Sequence, residues 1–329
     1  MEMKSIAFCG NMIADAVKTV PVWPDKGMLA PITSLRRQVG GSVCNSGIDL
    51  KTLDPSINVK AVGAVGDDEN GRFVLKTLTD RGIDCSLAKT VPGVPTTFTD
   101  VMTVESTGER TFFNMHGADS TLKPEDIDVE NLGCDILHFG YILLLDGMDA
   151  ADDEYGTKAA RLLAKAQAAG IKTSIDIVSE QSERFARIVR PALRYCDYCI
   201  VNEIEGSLAT GVSKDDLRGI CEGLLAAGVR ERAVVHCPGE GVSLGHDGEF
   251  ARVGSLKLPD GWIKGTVGAG DAFCAGVLYS IMKGFDAEMS LRVGSCAAAM
   301  NLTSPDSIGG AKSYDETFAL DGMFSRATC

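Results

Sequence analysis

Residues 264–276 read Lys-Gly-Thr-Val-Gly-Ala-Gly-Asp-Ala-Phe-Cys-Ala-Gly, a glycine-rich turn ending in a carboxylate. Ala272, Phe273, Ala275, Gly276, Leu278, Tyr279, Ile281 and Met282 follow at helical spacing, so Gly268-Ala269-Gly270-Asp271 is predicted to open a buried helix. Bare N–H groups at a helix start, with little side chain in the way, attract anionic oxygens. An Asp there would repel a phosphate. It fits if Asp271 takes a proton from an attacking hydroxyl while the N–H groups of Ala269, Gly270 and Asp271 hold the group in transfer. The plainer alternative is a tight turn with Asp271 as a first-turn helix residue.

Other polar residues fall just after apolar, strand-like runs: Asp15, Asp176, Asn202 and His236. In an open α/β sheet, ligands bind beyond the carboxyl ends of the strands, and these residues are expected along one rim with the turn before Asp271. Asp15 and Asn45 suit hydroxyl recognition, and Gly40 and Gly41 would let backbone approach a bound ligand closely. A turn for the glycines and a helix cap for Asn45 is the competing reading. Asn202 and Glu205 could orient a phosphate and the water shell of Mg²⁺; alternatively Glu205 is a solvated helix-start carboxylate. There is no Gly-x-x-x-x-Gly-Lys-Ser/Thr, no Gly-x-Gly-x-x-Gly after the first strand and no Gly-x-Ser-x-Gly. Cys196-Asp197-Tyr198-Cys199 has metal-ligand spacing but no second pair, and reads as part of a strand.

Four segments together resemble the ribokinase-like carbohydrate kinases, the PfkB family. They are Gly40-Gly41-Ser42-Val43-Cys44-Asn45, Gly63-Ala64-Val65-Gly66-Asp67-Asp68-Glu69-Asn70-Gly71, Asn202-Glu203-Ile204-Glu205, and the turn before Asp271. They stand in the family's order and span nearly the whole chain. The resemblance implies a three-layer α/β/α sandwich with a mostly parallel central sheet. A small β-sheet lid at about 16–39 and 92–116 would cover the sugar and form the contact of a homodimer. It implies ATP-dependent phosphorylation of a sugar hydroxyl, with Asp271 as base and Gly268, Ala269 and Gly270 in the anion hole. Asp15, Gly40, Gly41 and Asn45 would bind the sugar. Asn202, His236, Gly239 and Gly241 would bind ATP, with Gly268 and Gly270, and Glu205 would hold Mg²⁺ through water. A nucleoside kinase of the same fold and a non-catalytic sugar-binding regulator are the rivals. Gly265 stands where ribokinase-like members carry an Asp that helps coordinate a monovalent cation, and Val267 supplies no hydroxyl, so K⁺ dependence is expected to be weak or absent. Ile13 and the His236-Cys237-Pro238 loop also depart from the family pattern.

The elements that must position these residues alternate from residue 134 onward. Strands are expected at 135–139, 173–178, 199–202 and 233–237, and helices at 157–169, 183–195 and 214–227. Earlier come strands at 6–10 and 61–65 and a helix at 73–81. Such alternation implies a parallel sheet covered on both faces, in one domain over 1–329. Residues 16–39 hold three Pro and no helical period, and residues 95–115 read as a hairpin turning at Ser106-Thr107-Gly108. The chain has 329 residues, 45% hydrophobic and 23% charged, and a net charge of −13 that argues against nucleic acid as a partner. No apolar run is long enough to span a bilayer, and the eleven Cys, an odd number scattered through apolar segments, read as reduced thiols of a cytoplasmic protein.

Overall fold

The first strand, Ser5–Cys9, is almost wholly buried, as expected where both faces of a parallel sheet are covered. In the computed structural model, which describes residues 3–180 and 184–328, it lies in an eight-stranded sheet. From one edge the order is Phe250–Gly254, Glu240–Gly245, Arg232–His236, Tyr198–Asn202, Lys172–Ile177, Ile136–Ile142, Ser5–Cys9 and Asn58–Val62. The last six run parallel; the first two are antiparallel additions. Alternate residues of one strand feed two cores. Ala7 and Cys9 join Leu137 and Phe139 under the helices Lys158–Ala168, Phe185–Leu193 and Leu217–Ala227. Ile6 and Phe8 join Ile136 on the other face, under Ser42–Leu53 and Ala269–Lys283. This is the period-two pattern of strands buried between helical layers.

Local chemistry sets most boundaries. The Thr157 hydroxyl accepts from Ala160 N–H and caps Lys158–Ala168, and Gly170, at φ +79°, follows its end. The helix expected at 73–81 starts earlier, at Glu69, because the Asp68 carboxylate caps it through Gly71 N–H at 2.8 Å. The helix expected at 214–227 starts later, at Leu217, after the cap Asp216. The first residue of the helix expected at 183–195 lies outside the described residues; the observed helix is Phe185–Leu193. The run 61–65 is divided. Asn58–Val62 belongs to the main sheet, whereas Ala64–Gly66 pairs with Lys89–Val91. A Cβ on the intervening Gly63 would stand 2.6 Å from Met12 Sδ, so the chain turns there against its neighbour.

A separate four-stranded sheet has the order Ser34–Gly40, Ile13–Val20, Phe98–Val104, Arg110–Met115. Its last two strands are the expected hairpin. The strand Ile13–Val20 starts ahead of the region expected to contribute, and it carries Asp15.

Candidate active site

Helix Ala269–Lys283 begins at Gly268, whose φ of +81° lies in the left-handed region. Among the described residues the N–H groups of Gly270 and Asp271 meet no acceptor, while that of Ala269 makes only a long 3.4 Å bond to Thr266 O. The anion-binding potential expected of this turn is therefore physically available. Asp271, in the first turn, is buried. Its Oδ2 accepts from Asn45 Nδ2 at 3.0 Å and from the Tyr141 hydroxyl at 2.9 Å, and its Oδ1 accepts from Ser46 Oγ at 3.4 Å. Burial and then the charge of Asp176 push its carboxyl up to about 7.

Asp271 opens onto a cavity of about 540 Å³ whose polar lining includes Tyr141, Asp176, Ser179, Asn202, Glu205 and His236. Asp176 stands near the end of strand Lys172–Ile177, and Asn202 and His236 end adjacent strands in register with each other. The strand ends thus bring these polar groups to one rim. Asn202 caps helix Glu203–Thr210: its Oδ1 accepts from the N–H groups of Ile204 and Glu205. Glu205 returns the contact, accepting from Asn202 N at 3.0 Å and from Ser179 Oγ at 2.7 Å. Glu205 is buried, not solvated, and burial pushes it up to about 7. Three carboxylates, Asp176, Glu205 and Asp271, share this cavity with no Lys or Arg among its lining residues. That carboxylate-rich lining, without a cationic side chain, fits a hard divalent cation that keeps its own waters.

A second cavity of about 630 Å³ shares Asn202, His236 and Gly270 with the first. Its walls are mostly apolar, with Leu256, Leu258, Ile263, Phe273, Ala298 and Leu302, and Glu203, Glu240 and Thr266 at its polar parts. Burial pushes His236 down to about 4, so it is neutral at physiological pH, and its ring leans on Phe273 with centroids 4.4 Å apart. Gly241 lines this cavity from the strand Glu240–Gly245. Gly239 does not; its carbonyl accepts from Ser255 N–H in the preceding turn.

The residues expected to bind sugar are dispersed. Asn45 has its amide bound to Asp271, and its Oδ1 accepts from Ser307 Oγ at 2.9 Å, so it holds the Asp271 carboxylate in place. Asp15 lines a different cavity of about 340 Å³ with Arg37, Asn70 and Asp100, and burial pushes its carboxyl up to about 6. Gly40 is where the chain passes Asp15, 2.3 Å from where a Cβ would stand, and Gly41 at φ +86° presses on Asn11 O. Both glycines are set by protein packing. Tyr141 and Ser46 were not legible as site residues; nothing in their local pattern separates them from core and turn positions. His138, Asp176 and Cys274 also meet, one ligand-type atom each within 4.8 Å of the others. The His138 Nε2 to Asp176 Oδ2 contact of 3.2 Å reads as a hydrogen bond between them.

A family model described as pfkB family carbohydrate kinase matches residues 3–313. The chain is similar to a 5-dehydro-2-deoxygluconokinase of Shouchella clausii, 24% identical over 295 residues, covering 87% of this chain and 87% of that protein. Its structure is similar to that of Arabidopsis thaliana ribokinase complexed with ribose and ATP, with a TM-score of 0.79 at 19% identity, covering 97% of this chain and 99% of the other. It is similar too to a putative ribokinase II from E. coli in complex with ATP and Mg²⁺, with a TM-score of 0.79 at 18% identity, covering 98% and 99%.

Proposed function

The chain belongs to the pfkB family of carbohydrate kinases, phosphotransferases with an alcohol acceptor, and on that premise we propose that Asp271 is the base that deprotonates a sugar hydroxyl. One observation carries this reading. Asp271 sits at a helix start beside N–H groups without acceptors, where the two cavities meet at Gly270. The apolar cavity suits a nucleotide base and the carboxylate-lined one its phosphates. The γ-phosphoryl group would rest on the N–H groups of Ala269, Gly270 and Asp271, with Gly268 turning the chain toward it. The sugar oxygen attacks phosphorus as its proton passes to Asp271, and ADP departs. Asp176 and Glu205 would hold Mg²⁺ through its waters, and when bound the ion offsets the phosphate charge. Asn202 caps the helix that carries Glu205, and His236 and Gly241 shape the nucleotide side.

A sugar held by the expected Asp15 would meet Asp100 as well, and the cations there are engaged: Arg37 with Glu69 at 2.8 Å, and Lys18, just outside that cavity, with Asp100 at 2.6 Å. That balance favours a neutral polyhydroxylated acceptor over a sugar acid. Phe112 on the wall of the first cavity also gives a nucleoside a surface to stack on, which keeps a nucleoside kinase as a second reading. The small sheet acts as the lid of a single kinase domain, and its exposed apolar side chains suit a homodimer contact.

The test is ADP release from ATP across sugars, sugar acids and nucleosides, for the wild type and Asp271→Asn. A neutral sugar should be the best acceptor. Asp271→Asn should lower kcat by about 10²–10⁴-fold with little effect on KM. Since the base works only when ionised, wild-type kcat/KM should rise with pH through about 7. An Asp271→Asn variant within a few-fold of wild type would falsify the assignment.

A further inference from the structure

Tyr141 has φ +59° and Leu143 φ +89°, left-handed conformations that residues with a side chain rarely adopt. Neighbouring carboxylates hold them there. Asp176 Oδ1 accepts from Tyr141 N–H, and Asp149 Oδ1 accepts from Leu143 N–H at 3.2 Å. Asp176 is itself fixed by His138 Nε2 at 3.2 Å. Gly140 just before the turn is pressed so closely on Ser42 that a Cβ there would stand 1.7 Å from its Oγ.

The outcome of this strained turn is the placement of one hydroxyl. The Tyr141 phenol donates to Asp271 Oδ2 at 2.9 Å, beside the 3.0 Å bond from Asn45, and the side chain lines the 540 Å³ cavity. Two donors fill that carboxylate oxygen. We propose that Tyr141 is a specificity-determining residue that caps the base against water until a sugar hydroxyl takes its place. This rests on Asp271 being the base. The competing reaction is hydrolysis: water oxygen bonds to the γ-phosphorus, the bond to the β–γ bridging oxygen breaks, and one water proton passes to Asp271, leaving ADP and inorganic phosphate. A carboxylate left open to water beside bound ATP invites that reaction.

The titratable groups facing Asp271 are Tyr141, Asp176, Glu205, Cys44, Asp49 and Cys274. Tyr141→Phe removes only the first and keeps the ring. The probe is Mg²⁺·ATP without sugar, read as phosphate release across pH. Hydrolysis should rise on the order of ten-fold. Its acid limb should move to higher pH by about one unit, because a donor to the ionised carboxylate is lost. A merely structural tyrosine would not move that limb. Hydrolysis at the wild-type rate, or a limb that stays in place, overturns the proposal. Adding Asp271→Asn to Tyr141→Phe should abolish the gained hydrolysis; a gain that persists overturns it as well. If Asp271→Asn is inactive with sugar while Tyr141→Phe changes nothing, only this inference fails. If Asp271→Asn keeps its sugar-kinase rate, the general-base reading fails on its own evidence.

Discussion

Gly268 and Gly270 stand two residues apart in the turn and answer to different constraints. A Cβ on Gly268 would lie 2.4 Å from Ser307 O, and its φ is +81°. A Cβ on Gly270 would meet nothing nearer than His236 Cε1 at 3.8 Å and would point toward the cavities. Gly268→Ala should therefore damage the turn itself, costing roughly 1–3 kcal/mol of stability together with activity. Gly270→Val should fold with near-normal stability and lose phosphoryl transfer, because the side chain takes the space of phosphate oxygens. Thermal denaturation beside ADP release separates the two. Equal destabilisation by both substitutions would show that the turn is structural throughout.

At the scale of elements, helices Ser42–Leu53, Ala269–Lys283, Ala287–Asn301 and Tyr314–Met323 enclose a small void lined by Asp49 and Asn301. Among the described residues, both carboxylate oxygens of Asp49 and the amide oxygen of Asn301 have no hydrogen-bond partner. Burial, then the charge of Asp271, hold the Asp49 carboxyl well above the usual carboxylate range. The folded protein thus keeps a proton that the unfolded chain loses near pH 4, so this group lowers stability as pH rises above that value. Asp49→Asn should be more stable than wild type at pH 7 by about 1–3 kcal/mol, with the gain shrinking toward pH 4. Urea denaturation at both pH values tests this, and an Asn variant weaker at pH 7 would contradict it. The turn at Gly265 meets the loop after Asn301 just as closely. A Cβ on Gly265 would stand 2.8 Å from Pro305 Cα and 2.9 Å from Ser304 O, leaving no room for a carboxylate unless the loop shifts. Turnover should therefore depend weakly on K⁺, measured against tetramethylammonium at constant ionic strength. Steep, saturable activation would show that backbone carbonyls suffice.

Over the whole molecule, exposed apolar side chains gather on the small sheet and the segment joining its first strands. Leu29 is 91% exposed and Leu35 65%, and Phe112 and Phe113 are also exposed, with Trp23 stacked on Phe113 at 6.4 Å. Patches of this kind mark interaction surfaces. The wild type should sediment as a dimer at micromolar concentration. Leu29→Asp combined with Leu35→Asp should yield a monomer with the same far-ultraviolet circular dichroism. A wild type that sediments as a monomer would refute the lid contact. Among the described residues, no helix is long and apolar enough to cross a membrane.

The sequence by itself determined whatever rests on local chemistry. Gly268-Ala269-Gly270-Asp271 had to open a helix because glycine turns and a 3.6-residue apolar period are read within one segment. The alternation of strands and helices fixed a parallel sheet, and the hairpin at 98–115 was visible from its turn. The edge hairpin Glu240–Gly254 was not, since its glycines resembled a ligand loop and only pairing with Arg232–His236 makes them a strand. Asn45 reaches Asp271 across 226 residues of chain, and Tyr141 across 130. Such partners follow from how helices Ser42–Leu53 and Ala269–Lys283 pack beside one strand end, which no local period encodes. The left-handed backbone of Tyr141 likewise has its N–H held by Asp176 on the neighbouring strand, a contact made only in the folded sheet. The sequence singled out Asp271; tertiary packing decided what surrounds it.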